Sequence, residues 1–98
     1  MKIDFDVKFQ TLDGKAITMN EKEATLKDVT IEALMGLLEE EKGISGEEKF
    51  KRYELAMKIK GGGIVDISVD DVSLIKRLIG KMFTPLVVGQ AWEMLENG

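Results

Sequence analysis

Few residues in this 98-residue chain are of the types that perform chemistry. Histidine and cysteine are both absent, which removes the commonest general base, the commonest transition-metal ligand and every disulfide. The serines are Ser45, Ser68 and Ser73, and without histidine they cannot form the usual catalytic triad. The adjacent carboxylates at 39–41 and 70–71 point about 100° apart on a helix, so they do not converge on one atom. We therefore predict no catalytic residue, no metal site and no cofactor, and a protein that is not an enzyme.

The triple glycine at residues 61–63 raises the question of a phosphate-binding loop. Such a loop follows a strand and opens a helix, with a lysine and a serine or threonine behind the glycines. Here the glycines follow a helical pattern and precede a short apolar run, and no lysine–serine pair comes after them. We predict that they end a helix and form a flexible connector.

The segment from 49 to 60 is locally basic in an acidic protein. The whole chain carries a net charge of −4, whereas residues 45–60 hold five basic and three acidic side chains. Basic residues interleaved with Phe50 and Tyr53 can mark a nucleic-acid surface. On a helical wheel they scatter around the helix, and Glu54 dilutes them, so an ion-paired surface helix is the preferred interpretation. The alternative is a small nucleic-acid-binding regulator that uses Lys49, Lys51, Arg52, Lys58 and Lys60.

The only tryptophan, Trp92, lies among apolar residues at helical spacing near the end of the chain. That spacing favours a position in the core, but tryptophan is also enriched at the centres of interfaces. The broad apolar faces of the predicted helices exceed what a small monomer readily covers, which favours a protein partner or a homo-oligomer. The residues that we expect at such an interface are Met82, Phe83, Trp92, Met94 and Leu95.

The N-terminal residues predict a β-hairpin over 1–20. Apolar and charged residues alternate from 3 to 9, the period of a half-buried strand. Asp13-Gly14 is a strong hairpin-turn signal, and residues 16–19 would return as the second strand. A lone hairpin is marginal, so we expect its apolar face to lie on the helices.

Residues 25–98 predict three to four helices. Thr25 or Asp28 caps a helix from about 26 to 41 that Gly43 ends, and Ser45 with Glu48 forms a capping box for a helix to about 60. That second helix has two apolar sectors, which suggests that it is sandwiched between neighbours. Residues 64–67 form a short third strand or a plain connector, Ser68 with Asp71 caps the next helix, and Thr84-Pro85 begins the last one. The prediction is a single α+β domain over 1–98, with the hairpin packed on the helices.

Composition predicts a cytoplasmic protein without a membrane segment. No apolar run approaches the roughly 20 residues that span a bilayer, and the first ten residues have no continuous apolar stretch of a secretion signal. The negative net charge argues against nucleic acid as a partner.

Two stretches, SGEEKFKRYELAMKI at 45–59 and LIKRLIGKMFTPLVVGQAWEMLE at 74–96, resemble a group of small uncharacterised proteins encoded in tailed bacteriophages and prophages. The resemblance covers about residues 25–96 and leaves out the N-terminal hairpin. It implies a viral or prophage origin, and hence the host cytoplasm, but it supplies no activity, ligand or catalytic residue.

The expected function is therefore a non-enzymatic protein-interaction module, such as a phage accessory or virion-assembly protein. The alternatives are the nucleic-acid-binding regulator and a metal enzyme whose carboxylates converge from distant parts of the chain.

Overall fold

The structure is a computed structural model that describes residues 1–36, 38, 41 and 43–97. Within those residues the chain forms two small antiparallel sheets and four helices, which confirms the α+β class. None of these helices is long and apolar enough to cross a membrane. In chain order the elements are β1 (Lys2–Asp4), β2 (Thr18–Met19), β3 (Lys22–Glu23), α1 (Leu26–Met35), α2 (Gly46–Ile59), β4 (Ile64–Asp66), α3 (Val69–Met82) and α4 (Pro85–Glu96).

The first sheet joins the beginning of the chain to its middle. β1 pairs antiparallel with β4 in a register that places Ile3 opposite Val65. The Phe5 N–H continues this ladder by donating to the Gly63 carbonyl at 2.9 Å. Ile3 and Phe5 are fully buried, as the alternation of apolar and charged residues predicted. The third strand that the sequence allowed near residue 64 is present, and its partner is β1.

The predicted hairpin forms at its turn, but its arms pair over a shorter stretch than the sequence suggested. Gly14 has φ of 83° and donates its N–H to the Thr11 carbonyl at 3.0 Å, so the Asp-Gly turn forms. The arms meet in an isolated bridge between Gln10 and Ala16. Beyond that bridge, β2 pairs with β3 around a second turn at residues 20–21. The strand over residues 3–9 therefore does not pair with 16–19 in one regular two-stranded sheet.

A ring of three backbone hydrogen bonds explains this departure. Phe9 donates its N–H to the Ala24 carbonyl at 3.0 Å, Ala24 donates to Ile17 at 2.7 Å, and Ile17 donates back to Phe9 at 3.2 Å. Each of the three segments thus pairs with the other two, and Phe9 and Ala24 become buried. In a two-stranded hairpin, the N–H and C=O groups on the outer edges would have no backbone partner. In the ring, the three segments form hydrogen bonds with one another through such groups.

Helix α1 begins where the sequence predicts and ends earlier. Thr25 and Asp28 form a reciprocal capping box. The helix ends at Met35, because Gly36 takes an extended conformation with φ of −79° and ψ of 157°. A Cβ at Gly36 would lie 2.6 Å from Met82 Cε. The side chain of Met82 on α3 therefore fills the space that a side chain at position 36 would need. The prediction that the helix continues to 41 and ends at Gly43 is wrong for the described residues; residues 37, 39 and 40 lie outside them.

The other helices begin at their predicted caps. The hydroxyls of Ser45 and Ser68 accept hydrogen bonds from backbone N–H groups three residues later, each at 3.1 Å. α4 starts at Pro85, after Thr84, which makes no side-chain capping bond. The Glu48 side chain lies near Arg52, so the predicted box at Ser45 forms in one direction only.

The core lies between β1 and one side of each of the helices α1, α2, α3 and α4. α3 contributes its whole apolar face, and α4 contributes Ala91 and Leu95. α4 also holds the N-terminal arm, because the Gln90 amide accepts from the Gln10 N–H at 3.0 Å and donates to the Gln10 carbonyl at 2.8 Å. The largest fully buried side chains are those of Ile3, Phe5, Phe9, Leu26, Val29, Thr30, Ile59, Ile67, Ile75, Leu78, Ile79 and Leu95.

The triple glycine forms a tight turn between α2 and β4. Gly62 and Gly63 have φ of 70° and 72°, the left-handed region that side chains disfavour. The Gly62 N–H donates to the Ile59 carbonyl at 2.8 Å. A Cβ on Gly62 would collide with the carboxylate of Asp6, whereas one on Gly61 would meet no atom within 4 Å. The connector is therefore a specific turn that aligns β4 with β1.

We predict that Gly62→Ala lowers the free energy of unfolding by about 1–3 kcal/mol, because it adds a side chain at positive φ and displaces Asp6. Urea unfolding followed by circular dichroism measures this loss. The control is Gly61→Ala, which we expect to be neutral or to stabilise by about 0.5 kcal/mol. Equal losses in the two variants would refute the assignment of the turn to Gly62.

Candidate protein-interaction surface

One side of α2 carries apolar side chains that the rest of the described chain does not cover. Phe50, Tyr53 and Met57 lie at positions i, i+3 and i+7, which places them on one face of the helix. Their exposed fractions are 59%, 47% and 43%. The rings of Phe50 and Tyr53 stack with their centroids 6.2 Å apart and their planes inclined by 24°. The surface therefore presents ordered aromatic area to solvent.

The opposite side of α2 faces the core. Leu55, Ala56 and Ile59 are buried there, together with Arg52. The two apolar sectors predicted from the sequence are both present, but the described chain covers one of them only. The expectation that α2 is sandwiched between neighbours therefore does not hold within the described residues.

A groove continues this apolar surface toward the end of α1. It has a volume of about 300 Å³ and lies between the last turn of α1 and the first half of α2. Met35, on its α1 side, is 57% exposed. Because Tyr53 belongs both to the groove and to the exposed face of α2, we call Met35, Phe50, Tyr53 and Met57 together the α2 surface. The groove is lined by Leu34, Met35, Gly36, Ile44, Lys49, Arg52 and Tyr53.

A buried ion pair lies beneath the α2 surface, beside the groove. The Arg52 guanidinium donates two hydrogen bonds to the Glu41 carboxylate, from Nη1 at 3.1 Å and from Nη2 at 2.5 Å. The side chains are only 4% and 7% exposed. Glu48 Oε1 lies 3.6 Å from Arg52 Nε, and Arg77 Nη1 lies 3.9 Å from Glu41 Oε2. This pair fastens the segment before α2 to the helix, and the groove lies against it.

Hydrogen bonding within the pair stabilises both charged forms. The bonds from Arg52 hold the pKa of Glu41 below its usual value of 4.5, although burial opposes the shift. The carboxylate of Glu41 in turn raises the pKa of Arg52. Glu41 is therefore ionised over the whole neutral range.

The basic residues proposed for nucleic-acid binding do not form one surface. Arg52 is buried and paired with Glu41, so its place in that set is wrong. The four lysines are exposed. Lys49 lines the groove beside Tyr53, whereas Lys51 and Lys58 line a different depression together with Glu54.

The residues predicted for an interface near the C-terminus mostly pack within the chain. Leu95 is fully buried, so its assignment to an interface is corrected to the core. Met82, Phe83 and Met94 are half-buried against the core cluster. Trp92 is exposed at one edge and otherwise held within the chain, where its indole N–H donates to the Lys76 carbonyl at 3.1 Å.

Lys76 fixes Trp92 further. Its Nζ lies 4.5 Å from the centroid of the indole ring and 2.7 Å from Glu96 Oε1. Sequence reasoning thus placed the interface on α3 and α4 and missed the exposed face of α2. The second apolar sector of that helix was the signal that could have identified it.

Other depressions offer less chemistry. One, of about 590 Å³, contains two carboxylates, but Asp28 is committed to capping α1. Among the residues that the structure describes, no group of three or more acidic side chains could hold a metal ion. This depression is lined by Met19, Asn20, Asp28, Ile31, Glu32 and Phe83.

Comparison with known proteins adds no family. No family model, curated protein or solved structure matches the chain.

We predict that Arg52→Ala lowers the free energy of unfolding by about 3–5 kcal/mol, because it leaves the Glu41 carboxylate buried without its partner. The double variant Glu41→Leu/Arg52→Met removes both charges and should recover most of that loss. Urea titrations of Glu41→Leu, Arg52→Met and the double variant give the coupling energy. Additive losses would show that the two residues are independent.

We also predict that the stability contributed by Glu41 depends on pH. Since folding lowers the pKa of Glu41, its contribution is complete above the unfolded-state pKa of about 4.3 and is lost as the pH falls through the folded-state value. The difference in unfolding free energy between wild type and Glu41→Gln should therefore be constant from pH 7 to about pH 5 and shrink below about pH 4. A difference that does not change with pH would contradict the ion pair.

Proposed function

We propose that this chain is a non-enzymatic protein-interaction module that binds its partner through the α2 surface. The observation that carries the proposal is the exposed row of Phe50, Tyr53 and Met57, two of them stacked, on a helix whose other side is anchored in the core. Aromatic and methionine side chains are enriched at the centres of protein interfaces. A rigid helix that presents them loses little conformational freedom on binding.

The nucleic-acid alternative has weaker support. Its one arginine is buried, and its lysines lie on different sides of α2 with Glu54 among them. A protein with a net charge of −4 also attracts few phosphates, on whose neutralisation that kind of affinity depends.

The resemblance to phage-encoded proteins supplies the setting that we propose. In that setting the module acts in the cytoplasm of the host, as an accessory or virion-assembly factor. It binds either another protein or a second copy of itself.

We predict that a photo-crosslinking amino acid at position 53 forms discrete adducts with protein in cells that express the chain. Phe50→Ser with Met57→Ser should abolish these adducts and lower the thermal midpoint only slightly, because the two side chains are already 59% and 43% exposed. Sedimentation velocity of the purified protein then shows whether the partner is a second copy.

The matched control places the crosslinker at position 12, where Leu12 is an exposed apolar residue on the first hairpin turn. We expect no discrete adducts from that position. The proposal is refuted by a strict monomer whose adducts from position 53 do not differ from those at position 12.

A further inference from the structure

The two borders of the exposed row on α2 differ in charge. Lys49 and Lys60 lie four residues before and seven residues after Tyr53, which places both along one border of the row, and Lys49 also lines the groove. The other border carries Lys51 and Lys58 mixed with acidic residues, including Glu54. Among the residues that the structure describes, the border that carries Lys49 and Lys60 is therefore basic, whereas the opposite border is balanced.

The spacing of these two lysines sets a geometric requirement. Lys60 is the C-cap residue of α2 and lies eleven residues after Lys49, which corresponds to about three turns and roughly 16 Å along the axis. A helix lying alongside α2 would meet them with two carboxylates that are also about eleven residues apart. Between these charges lies the exposed row, and the groove opens beside it at the Lys49 end.

Charge also argues against a second α2 as the occupant. With Arg52 paired to Glu41, the segment 45–60 presents four lysines against three glutamates, and an antiparallel pair of α2 helices would place Lys49 of one copy beside Lys60 of the other. A partner with negative charge beside its apolar row complements this segment better.

We propose that the α2 surface receives an acidic amphipathic helix of a partner protein. Its apolar residues, spaced at i, i+3 or i+4 and i+7, pack on Phe50, Tyr53 and Met57. One of them enters the groove beside Met35, whose flexible side chain adapts to its shape. Its carboxylates pair with Lys49 and Lys60. This inference rests on the proposed function and specifies the chemistry of the partner.

The test uses two synthetic helical peptides of 18 residues with the same leucine row. One carries glutamates beside that row, eleven residues apart, and the other carries lysines at the same positions. Fluorescence anisotropy at about 0.15 M salt measures both affinities. We expect the glutamate peptide to bind about tenfold more tightly, since two attractive contacts replace two repulsive ones.

Charge reversal on the protein provides the matched comparison. Lys49→Glu with Lys60→Glu should invert the preference between the peptides. Lys51→Glu with Lys58→Glu changes the total charge equally on the opposite border, and should leave the ratio of affinities within about twofold because salt screens distant charges. Circular dichroism melts confirm that each variant is folded.

Each remaining outcome refutes the acidic partner. If the two peptides bind equally and Tyr53→Ser abolishes that binding, helices dock on the α2 surface without selection by charge. In that case the proposed function stands and this inference fails. The same preference change in both double variants would mean nonspecific attraction. No binding of either peptide, self-association through α2, or binding of duplex DNA through Lys49 and Lys60 would also overturn it. The crosslinking result at position 53 decides separately whether the proposed function survives.

Discussion

The pairing of β1 with β4 is the constraint on which the rest of the structure depends. These strands lie some sixty residues apart, and their register fixes Ile3 and Phe5 in the core. The chain between residues 5 and 63 must therefore begin and end beside β1. The ring formed by Phe9, Ile17 and Ala24 turns the chain toward α1, and the glycine turn after α2 delivers β4 beside its partner. α2 is thereby placed at the edge of the molecule, where one face meets the core and the other meets solvent.

Local signals in the sequence were reliable where the deciding contacts are local. Thr25, Ser45 and Ser68 were predicted as helix caps, and each accepts the backbone hydrogen bond that defines a cap, because that contact spans only three residues. The alternation of residues 3–9 likewise predicted the burial of Ile3, Phe5 and Phe9, whereas Val7, the remaining apolar residue of that alternation, is 39% exposed. It did not identify the strand with which they pair, since alternation specifies the two faces of a strand and not its neighbour.

Contacts between distant residues explain the errors. The periodicity of α1 continues past Met35, yet the helix ends there, at an extended Gly36 that lies against Met82 of α3. Arg52 was assigned to a surface charge cluster because a helical wheel shows charge but not the carboxylate that approaches from the preceding segment. The candidate interface moved from α4 to α2 for a related reason. Both helices are apolar on broad faces, and only the packing of the chain determines which face remains uncovered.

The position of Trp92 gives the protein an internal spectroscopic probe. It is the only tryptophan in the chain, and it lies on α4 in contact with Lys76 of α3, not on the face of α2. Loss of the contact between these two helices would expose the indole to water and change its emission. Occupation of α2 would leave that emission as it is. Fluorescence can therefore follow the loosening of the C-terminal helices during unfolding separately from events at the aromatic pair on α2.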